Sequence, residues 1–291
     1  MQSLSNTSEP SRVEPETHTF QLRTIQRLQD WSLTGGTRSS VHGRRRNALQ
    51  LAVTLVVQIS AIYVVFQVYS FVRRTIWQRS AEVAFDHAVD IIDVQRIVGL
   101  SVYRVELPLQ RYALEHDWLI DFFNGYYRNM KLAVFLAAAL ALIFAPEGFR
   151  RVRRLFLWAT VVAFPWFALY PLSPPRFMEP FGYDFVDTLA AVGGTVSKSG
   201  GLAGANQYAA MPSMHIGWSV IAAAWIAVAV PWMRIGTVIG AIHVALMAAA
   251  VMATGNHFWL DIVGGFAVVA AAAGLDLAAI RWLRRDRPVH M

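Results

Sequence analysis

Long apolar blocks alternate with short charged stretches along this chain of 291 residues. A helix needs about 20 consecutive apolar residues to cross a hydrocarbon layer of about 30 Å, and each block comes near this length. The pattern therefore predicts an all-α, polytopic membrane bundle of six transmembrane helices, at about residues 49–72, 127–145, 155–172, 214–233, 235–254 and 259–280.

The segment 73–128, between the first and second spans, has a different pattern, in which apolar and charged residues interleave. This pattern is typical of amphipathic helices, which we expect to lie on the membrane interface or to cap the bundle. Residues 1–46 are polar and lack sustained periodicity, which predicts a disordered cytoplasmic tail. The membrane domain is expected at 47–285, followed by a short cytoplasmic tail at 286–291.

The composition agrees with a membrane protein and excludes two other classes. Hydrophobic residues make up 55% of the chain and the mean hydropathy is +0.39, above the values of ordinary soluble domains. The net charge of +7 comes from arginine clusters between the apolar blocks, which indicates membrane topology rather than a nucleic-acid surface. With no cysteine, the chain forms no disulfide and no thiolate metal site.

The arginine clusters also predict the orientation of the bundle. In a six-span arrangement the clusters at 44–46, 150–154 and 281–287 fall on one side, which the positive-inside rule assigns to the cytoplasm. A further cluster at 73–79 opposes this assignment, and the acidic residues after it partly offset it. We therefore expect a multi-pass protein of the cell membrane with both termini in the cytoplasm.

Polar residues gather at the opposite, extracytoplasmic ends of the spans, where ionisable groups are costly and usually functional. Three strings lie there: YPLSPPRF with Arg176, MPSMH with Ser213 and His215, and TGNHFWLD with His257 and Asp261. Because the spans follow from hydropathy alone, the convergence of these strings predicts one extracytoplasmic site.

The residue types in these strings suit phosphate chemistry. An aspartate four residues after His257 can accept the proton of one imidazole nitrogen and leave the other as a base or nucleophile. His215 can donate a proton to a departing oxygen, and Ser213 opens a helix whose N-terminus attracts anions. Arg176 offers two-pronged contact with phosphate oxygens. Each residue alone also has a structural interpretation, namely a hydrogen bond for the histidines, an N-cap for Ser213 and a membrane-edge position for Arg176.

The order and spacing of these motifs resemble those of a known family. PSMH, followed further along the chain by H-x-x-x-D-x-x-x-G (His257, Asp261, Gly265), resembles the second and third signature motifs of the type 2 phosphatidic acid phosphatase (PAP2) superfamily. With NGYY at 124–127 included, the chain is most similar to the branch of inositolphosphotransferases that contains inositol phosphorylceramide synthase. The resemblance covers roughly Val102 to Gly265.

The resemblance implies a mechanism without metal ion or cofactor, in which His257 attacks the phosphorus and becomes a phosphohistidine. Asp261 would orient His257, and His215 would protonate the leaving group and then activate water or an alcohol. Ser213, the adjacent backbone amides and Arg176 would hold the phosphoryl oxygens.

The chain departs from the family pattern in two motifs. The first motif, K-x6-R-P, keeps Arg176 but has Leu169 in place of the lysine, and Ala250 and Val251 stand where the third motif has Ser-Arg. Fewer cations favour a singly charged phosphodiester over a doubly charged phosphomonoester. Further candidate substrate-binding residues are Lys198, Asn206, Tyr208 and Asn256, which are close enough in sequence to replace the missing cations, and Tyr127.

We therefore expect an enzyme that acts on a lipid phosphate ester in the bilayer, with transfer to an inositol-like polyol favoured. Two alternatives stay open. The first is a phosphatase that hydrolyses a polyprenyl or glycerolipid phosphate, and the second is a transporter or scaffold that binds anions without turnover. The expected partners are the membrane lipid and a polyol acceptor, with no nucleic acid.

Two polar residues lie within predicted spans, away from these motifs. For His243 we expect a buried hydrogen bond rather than haem ligation, and for Asp276 either a pairing with another helix or a polar interior of the bundle. His215, His257 and Asp261 are of metal-ligand types, but too few flanking donors accompany them for us to predict a metal site.

Overall fold

The apolar blocks form helices in the computed structural model, which describes residues 38–75, 81–193 and 207–285. Within these ranges the chain forms ten α-helices and no strand beyond an isolated parallel bridge between Leu172 and Ala209. The helices are α1 (Arg38–Thr75), α2 (Ala81–Ile97), α3 (Glu106–Leu114), α4 (Asp117–Arg128), α5 (Met130–Phe144), α6 (Pro146–Leu169), α7 (Thr188–Gly193), α8 (Met214–Ala229), α9 (Met233–Ala253) and α10 (Trp259–Arg285).

Among the described residues, four helical segments are long and apolar enough to cross a membrane: Ala48–Val72, Pro146–Leu169, Met233–Ala253 and Trp259–Leu283. Helices α4 and α5 add a fifth crossing if the pair, bent by 58°, counts as one span. An all-helical fold with four to five membrane-capable segments is thus confirmed. The fourth predicted span, 214–233, forms the shorter helix α8 of 16 residues, so six crossings stay a prediction.

Helix α6 begins before the uncharged stretch at 155–172 from which this span was predicted. Pro146 stands in the first turn together with Glu147, and both residue types favour a helix N-terminus. The arginines at 150–154 are part of this helix. Because the prediction was based on uncharged residues, it left out the part of the helix that contains these arginines. The predicted start at 155 is therefore wrong.

Contacts divide the chain into two compact units, Met1–Ala52 and Val53–Met291. The predicted N-terminal tail lies outside the described residues as far as residue 37, and residues 38–46 belong to α1. The predicted C-terminal tail, 286–291, lies outside the described residues entirely. The core and the candidate site both belong to the second unit.

Helix α8 forms the centre of the second unit. It packs against α5, α6, α9 and α10, and Ile216, Trp218 and Trp225 are among its buried side chains. Trp218 meets Phe66 of α1 edge to face, with ring centroids 4.6 Å apart, which is a favoured aromatic geometry. This packing fixes the helix whose first turn carries His215.

Helices α2 to α4 occupy the segment that was predicted to be amphipathic. One face of α2 is buried, and its buried residues recur at helical spacing: Ala84, Ala88, Ile91, Ile92 and Gln95. Part of this face joins Leu107, Leu172 and Phe258 in an apolar cluster. Helix α2 is therefore amphipathic, while its placement on a membrane interface stays a prediction.

The two polar residues within predicted spans each have a hydrogen-bond partner on another helix. Asp276 accepts hydrogen bonds from Nε and Nη2 of Arg154 at 2.8 and 3.1 Å, a two-pronged pair between α10 and α6. Nδ1 of His243 lies 2.5 Å from the hydroxyl of Tyr126. The expected helix pairing of Asp276 and the expected hydrogen bond of His243 are both confirmed.

Glycines let α9 and α10 approach α8 closely. A Cβ on Gly240 would lie 2.8 Å from the Cβ of Ala223, and a Cβ on Gly265 would lie 2.5 Å from the backbone oxygen of Ser213. Both distances are too short for real carbon atoms. Gly265, the glycine of the third motif, is therefore needed for the contact between α10 and the start of α8.

Replacement of Gly265 by alanine should destabilise the protein by about 1–3 kcal/mol, because the added carbon pushes α10 away from Ser213. The matched control is Gly274→Ala in the same helix, where a Cβ meets nothing within 4 Å. Alanine is the better helix former, so this control should be as stable as the wild type or more stable. Thermal unfolding in detergent measures both, and equal unfolding temperatures for the two variants would show that the close contact is dispensable.

Candidate active site

A cavity lies where α8 begins beside the turn that precedes α10. The volume of the cavity is about 50 Å³, whereas a single water molecule needs about 10–15 Å³. The cavity is therefore large enough for a small group such as a phosphoryl. The residues that line it are Tyr69, Tyr127, Pro174, Arg176, Gln207, Ala209, Ala210, Met214, His215, Trp218, Asn256 and His257.

Asp261 holds His257 through the start of α10. The helix begins at Trp259, after His257, so the two side chains do not meet on the face of a regular helix. Instead, Oδ2 of Asp261, at the third helical position, reaches back and accepts the N–H of the N-cap residue Phe258 at 2.9 Å, as the acidic residue of a capping box does. The same oxygen lies 3.2 Å from Nδ1 of His257. When this carboxylate accepts the Nδ1 proton, Nε2 keeps the lone pair.

His215 faces His257 from the first turn of α8. The centroids of the two rings are 5.7 Å apart. On its other side, the His215 ring stacks on Tyr127, with centroids 4.1 Å apart and planes inclined by 21°. The last residue of the NGYY motif therefore fixes the orientation of one of the two histidines.

Arg176 reaches the cavity from a loop that is anchored to the turn before α10. Its backbone N–H donates to the carbonyl of Gly255 at 2.9 Å, and its Nη1 donates to Oδ1 of Asn256. Its guanidinium carbon lies 4.6 Å from the centre of the Phe177 ring. These contacts hold the guanidinium beside the two histidines that also line the cavity.

The turn at Gly255 requires glycine. Its φ of +65° lies in the left-handed region, and an added Cβ would come within 3.1 Å of the Cβ of Arg176. The next residue, Asn256, is buried and donates from Nδ2 to Oγ1 of Thr254 at 2.7 Å. Asn256, a predicted substrate-binding residue, thus lines the cavity and positions Arg176.

Ser213 is at the N-cap position of α8, yet its side chain makes no capping hydrogen bond. The N-cap interpretation of its hydroxyl is therefore wrong. Its Oγ is buried without a hydrogen-bond partner, while its backbone N–H donates to the carbonyl of Asp261 at 3.0 Å. The backbone of Ser213, rather than its side chain, makes the contact between the two histidine-bearing segments.

The other predicted substrate-binding residues differ in their placement. The Tyr208 ring packs against Phe85 and Phe177, while its neighbours Gln207 and Ala209 line the cavity. Lys198 and Asn206 lie outside the described residues.

Sequence reasoning missed several residues that shape the site. Tyr69, Gln207 and Trp218 line the cavity, and the carboxylate of Asp187 lies 3.6 Å from Nε of Arg176. Gln207 and Trp218 lie within eight residues of His215, so their proximity to the motif at 211–215 could have indicated them. Tyr69 and Asp187 lie outside the motifs in sequence, and no local signal indicated them.

Among the described residues, no group of three or more His, Cys, Asp or Glu side chains is arranged to hold a metal ion.

A family model described as the PAP2 superfamily matches residues 89–275, which is more than half of the chain. The chain belongs to the PAP2 superfamily. Membership of this superfamily indicates a phosphatase-type enzyme, a phosphatase or a phosphotransferase. No curated protein and no solved structure gives a significant match.

A second buried acid of this PAP2 protein supports the helix that carries Asp261. Glu106 is fully buried, and its Oε1 accepts the N–H of Trp259 at 2.9 Å and the amide of Gln95 at 2.7 Å. It therefore satisfies one of the backbone donors that are left over at the start of α10. Burial raises the pKa of the Glu106 carboxyl, and the hydrogen bonds from Trp259 and Gln95 oppose this shift only in part.

Glu106 should make the stability of the protein depend on pH. Because its pKa is higher in the folded state, its stabilising contribution is fully present below the unfolded-state pKa and is lost as the pH rises through the folded-state pKa. Glu106→Gln keeps the acceptor oxygen but does not titrate. Its unfolding temperature relative to the wild type should therefore increase as the pH rises above about 4.5, the ordinary pKa of a glutamate, and through the raised folded-state pKa.

The matched control for this titration is Glu115→Gln, which removes an exposed carboxyl from a neighbouring position. Its unfolding temperature should follow that of the wild type at every pH. Parallel curves for Glu106→Gln and the wild type would show that the buried carboxyl imposes no such dependence.

Proposed function

We propose that this PAP2 protein is a membrane-embedded phosphotransferase or phosphatase that acts on a lipid-linked phosphate ester through a phosphohistidine at His257. The observation that carries the proposal is the separation of 5.7 Å between the His215 and His257 rings, beside a cavity that Arg176 also lines. A phosphoryl group between them would meet a nucleophile on one side and a general acid on the other.

The reaction proceeds in two steps. In the first, Nε2 of His257 forms a bond to phosphorus while the bond from phosphorus to the lipid alcohol breaks, and protonated His215 gives its proton to the departing oxygen. In the second, His215 takes a proton from the acceptor hydroxyl, whose oxygen forms a bond to phosphorus as the N–P bond breaks. Asp261 holds Nδ1 of His257 throughout and balances the charge on the ring. Protons and electron pairs balance without a metal ion or a cofactor.

The phosphoryl oxygens require hydrogen-bond donors aimed at the cavity. Arg176 supplies the guanidinium, which Asn256 orients. The N-terminus of α8, which begins directly after Ser213, adds backbone N–H groups and the positive end of the helix dipole. The hydroxyl of Ser213, the other predicted phosphate contact, is buried and does not line the cavity.

We favour transfer of the phosphorylated head group to an inositol-like polyol over hydrolysis. Ala250 and Val251 are fully buried and place apolar side chains where the family pattern has Ser-Arg. A site with few cations suits a singly charged phosphodiester, which is the group that a head-group transferase handles. The similarity to the inositol phosphorylceramide synthase branch points in the same direction.

The proposed setting is the cell membrane, with several crossings, both termini in the cytoplasm and the site at the extracytoplasmic surface. The lipid tail then stays in the bilayer while its head group enters the cavity from the side. The partners in this setting are the membrane lipid and a polyol acceptor.

The histidines are tested with detergent-purified protein in EDTA. His257→Ala and His215→Ala should each lower cleavage of bis(p-nitrophenyl) phosphate by about 10²- to 10⁴-fold, because each removes a group that acts on the reacting atoms. His116→Ala, outside the cavity and hydrogen-bonded to the carbonyl of Tyr112, is the matched control and should retain activity. Full activity in both cavity variants would contradict the mechanism.

Product analysis separates transfer from hydrolysis. The protein is incubated with phosphatidylinositol, phosphatidylglycerol or a polyprenyl phosphate, each with and without inositol, and the phosphorylated products are identified. A phosphorylated polyol that forms only in the presence of acceptor supports transfer. Release regardless of added inositol supports the phosphatase alternative, the released product being the phosphorylated head group from the two phospholipids and inorganic phosphate from the polyprenyl phosphate. Binding of the lipids without any product supports the transporter or scaffold.

A further inference from the structure

We infer that Asp187 is a specificity-determining residue, which disfavours phosphate groups with two negative charges and so selects singly charged phosphodiesters. This inference rests on the proposed function, in that it concerns the phosphate group held by Arg176.

Asp187 forms an ion pair with Arg176, which lines the cavity. Oδ2 of Asp187 lies 3.6 Å from Nε of Arg176, and the two side chains are 25% and 14% exposed. Charges that are this far removed from water are screened only weakly by salt. Arg176 is the single Arg or Lys among the described residues that line the cavity, so the carboxylate offsets the main positive charge available there.

The backbone on the N-terminal side of Asp187 is fixed by one buried side chain. The amide of Gln110, which is 1% exposed, donates to the carbonyl of Val186 at 3.0 Å and accepts the N–H of the same residue at 2.9 Å. It also donates to the carbonyl of Ala253 at 3.2 Å. Val186 is thereby tied to the end of α9, close to the turn that orients Arg176.

The C-terminal side of Asp187 is fixed as well. The hydroxyl of Thr188 donates to Oδ1 of Asn124 at 2.9 Å, and both residues are buried. The remaining oxygen of Asp187, Oδ1, accepts the N–H of Ala190 at 3.1 Å at the start of α7. With both flanks and one oxygen held, the carboxylate has little freedom to move away from Arg176.

A carboxylate held in this place acts differently on the two classes of phosphate ester. Its repulsion of the bound group grows with the charge of that group, so a phosphomonoester with two charges is weakened more than a phosphodiester with one. An uncharged side chain would bind Ala190 equally well, since asparagine and serine are good helix caps. The capping contact alone therefore does not require an acidic residue at position 187. This acid lies beside Arg176, the single arginine among the described residues that line the cavity.

The test compares two matched probes at about pH 8, where a phosphomonoester carries two negative charges. Turnover of p-nitrophenyl phosphate and bis(p-nitrophenyl) phosphate is measured for the wild type, Asp187→Asn and Asp187→Ser. Both variants keep a cap for Ala190 but lose the charge. The ratio of monoester to diester kcat/KM should rise in both on the order of ten-fold.

Asp184→Asn is the matched control, because it removes an exposed acid from the same segment, one that pairs with Arg111. This control should leave the ratio unchanged. A ratio that stays constant in both Asp187 variants, or two rates that fall by the same factor, would overturn the inference and leave Asp187 a structural residue.

Failure of the inference is distinguishable from failure of the proposed function. If the wild type turns over neither probe, the proposed function fails, and the inference is then read from thermal stabilisation by methyl phosphate and dimethyl phosphate. Stabilisation of Asp187→Asn that increases selectively for methyl phosphate supports the role of Asp187 in charge selection. Equal stabilisation by the two probes in the variant and in the wild type contradicts it.

Discussion

The site depends on the contact between the starts of helices α8 and α10. The backbone N–H of Ser213 donates to the carbonyl of Asp261 at 3.0 Å, and Gly265 leaves room for the carbonyl of Ser213. Since His215 lies two residues after Ser213 and His257 lies four residues before Asp261, this contact brings the two imidazoles together. A larger residue at position 265 would separate them without altering either histidine.

A second set of contacts builds the opposite wall of the cavity from loops. The loop with Arg176 is joined to the turn before α10 through Gly255, and its earlier part pairs with the backbone that leads into α8: Leu172 donates to the carbonyl of Tyr208 at 2.7 Å and accepts the N–H of Ala210 at 3.2 Å. The loop is therefore fixed to both of the histidine-bearing segments. The guanidinium is held in a defined position relative to both rings although it lies on a loop.

The sequence was informative where the deciding interactions are local. Apolar runs determine helices over short distances, and the motif spacing placed Arg176, His215 and His257 at one end of the bundle, where the structure also finds them. The residues that escaped prediction, such as Asp187, Gln110 and Glu106, act through contacts with partners far along the chain. Their residue types are common in polar segments, so composition alone does not distinguish them. The capping contact of Asp261 was also missed, because it depends on where α10 begins.

Helix α8 is shorter than a membrane crossing requires, and the stretch before it is irregular but buried. Its 16 residues extend about 24 Å at about 1.5 Å per residue, which is less than a hydrocarbon layer of about 30 Å. Irregular backbone at membrane depth is tolerated only where protein buries it and satisfies its hydrogen bonds. The stretch before α8 meets both conditions, since Ala209, Ala210 and Ser213 are buried and their segment is bonded to Leu172 and Asp261. Hydropathy placed the start of this helix correctly at residue 214. It placed the end too late, at 233, because Val230, Pro231 and Trp232 are apolar, whereas the helix ends at Ala229, before a proline that disfavours helical backbone at the preceding residue.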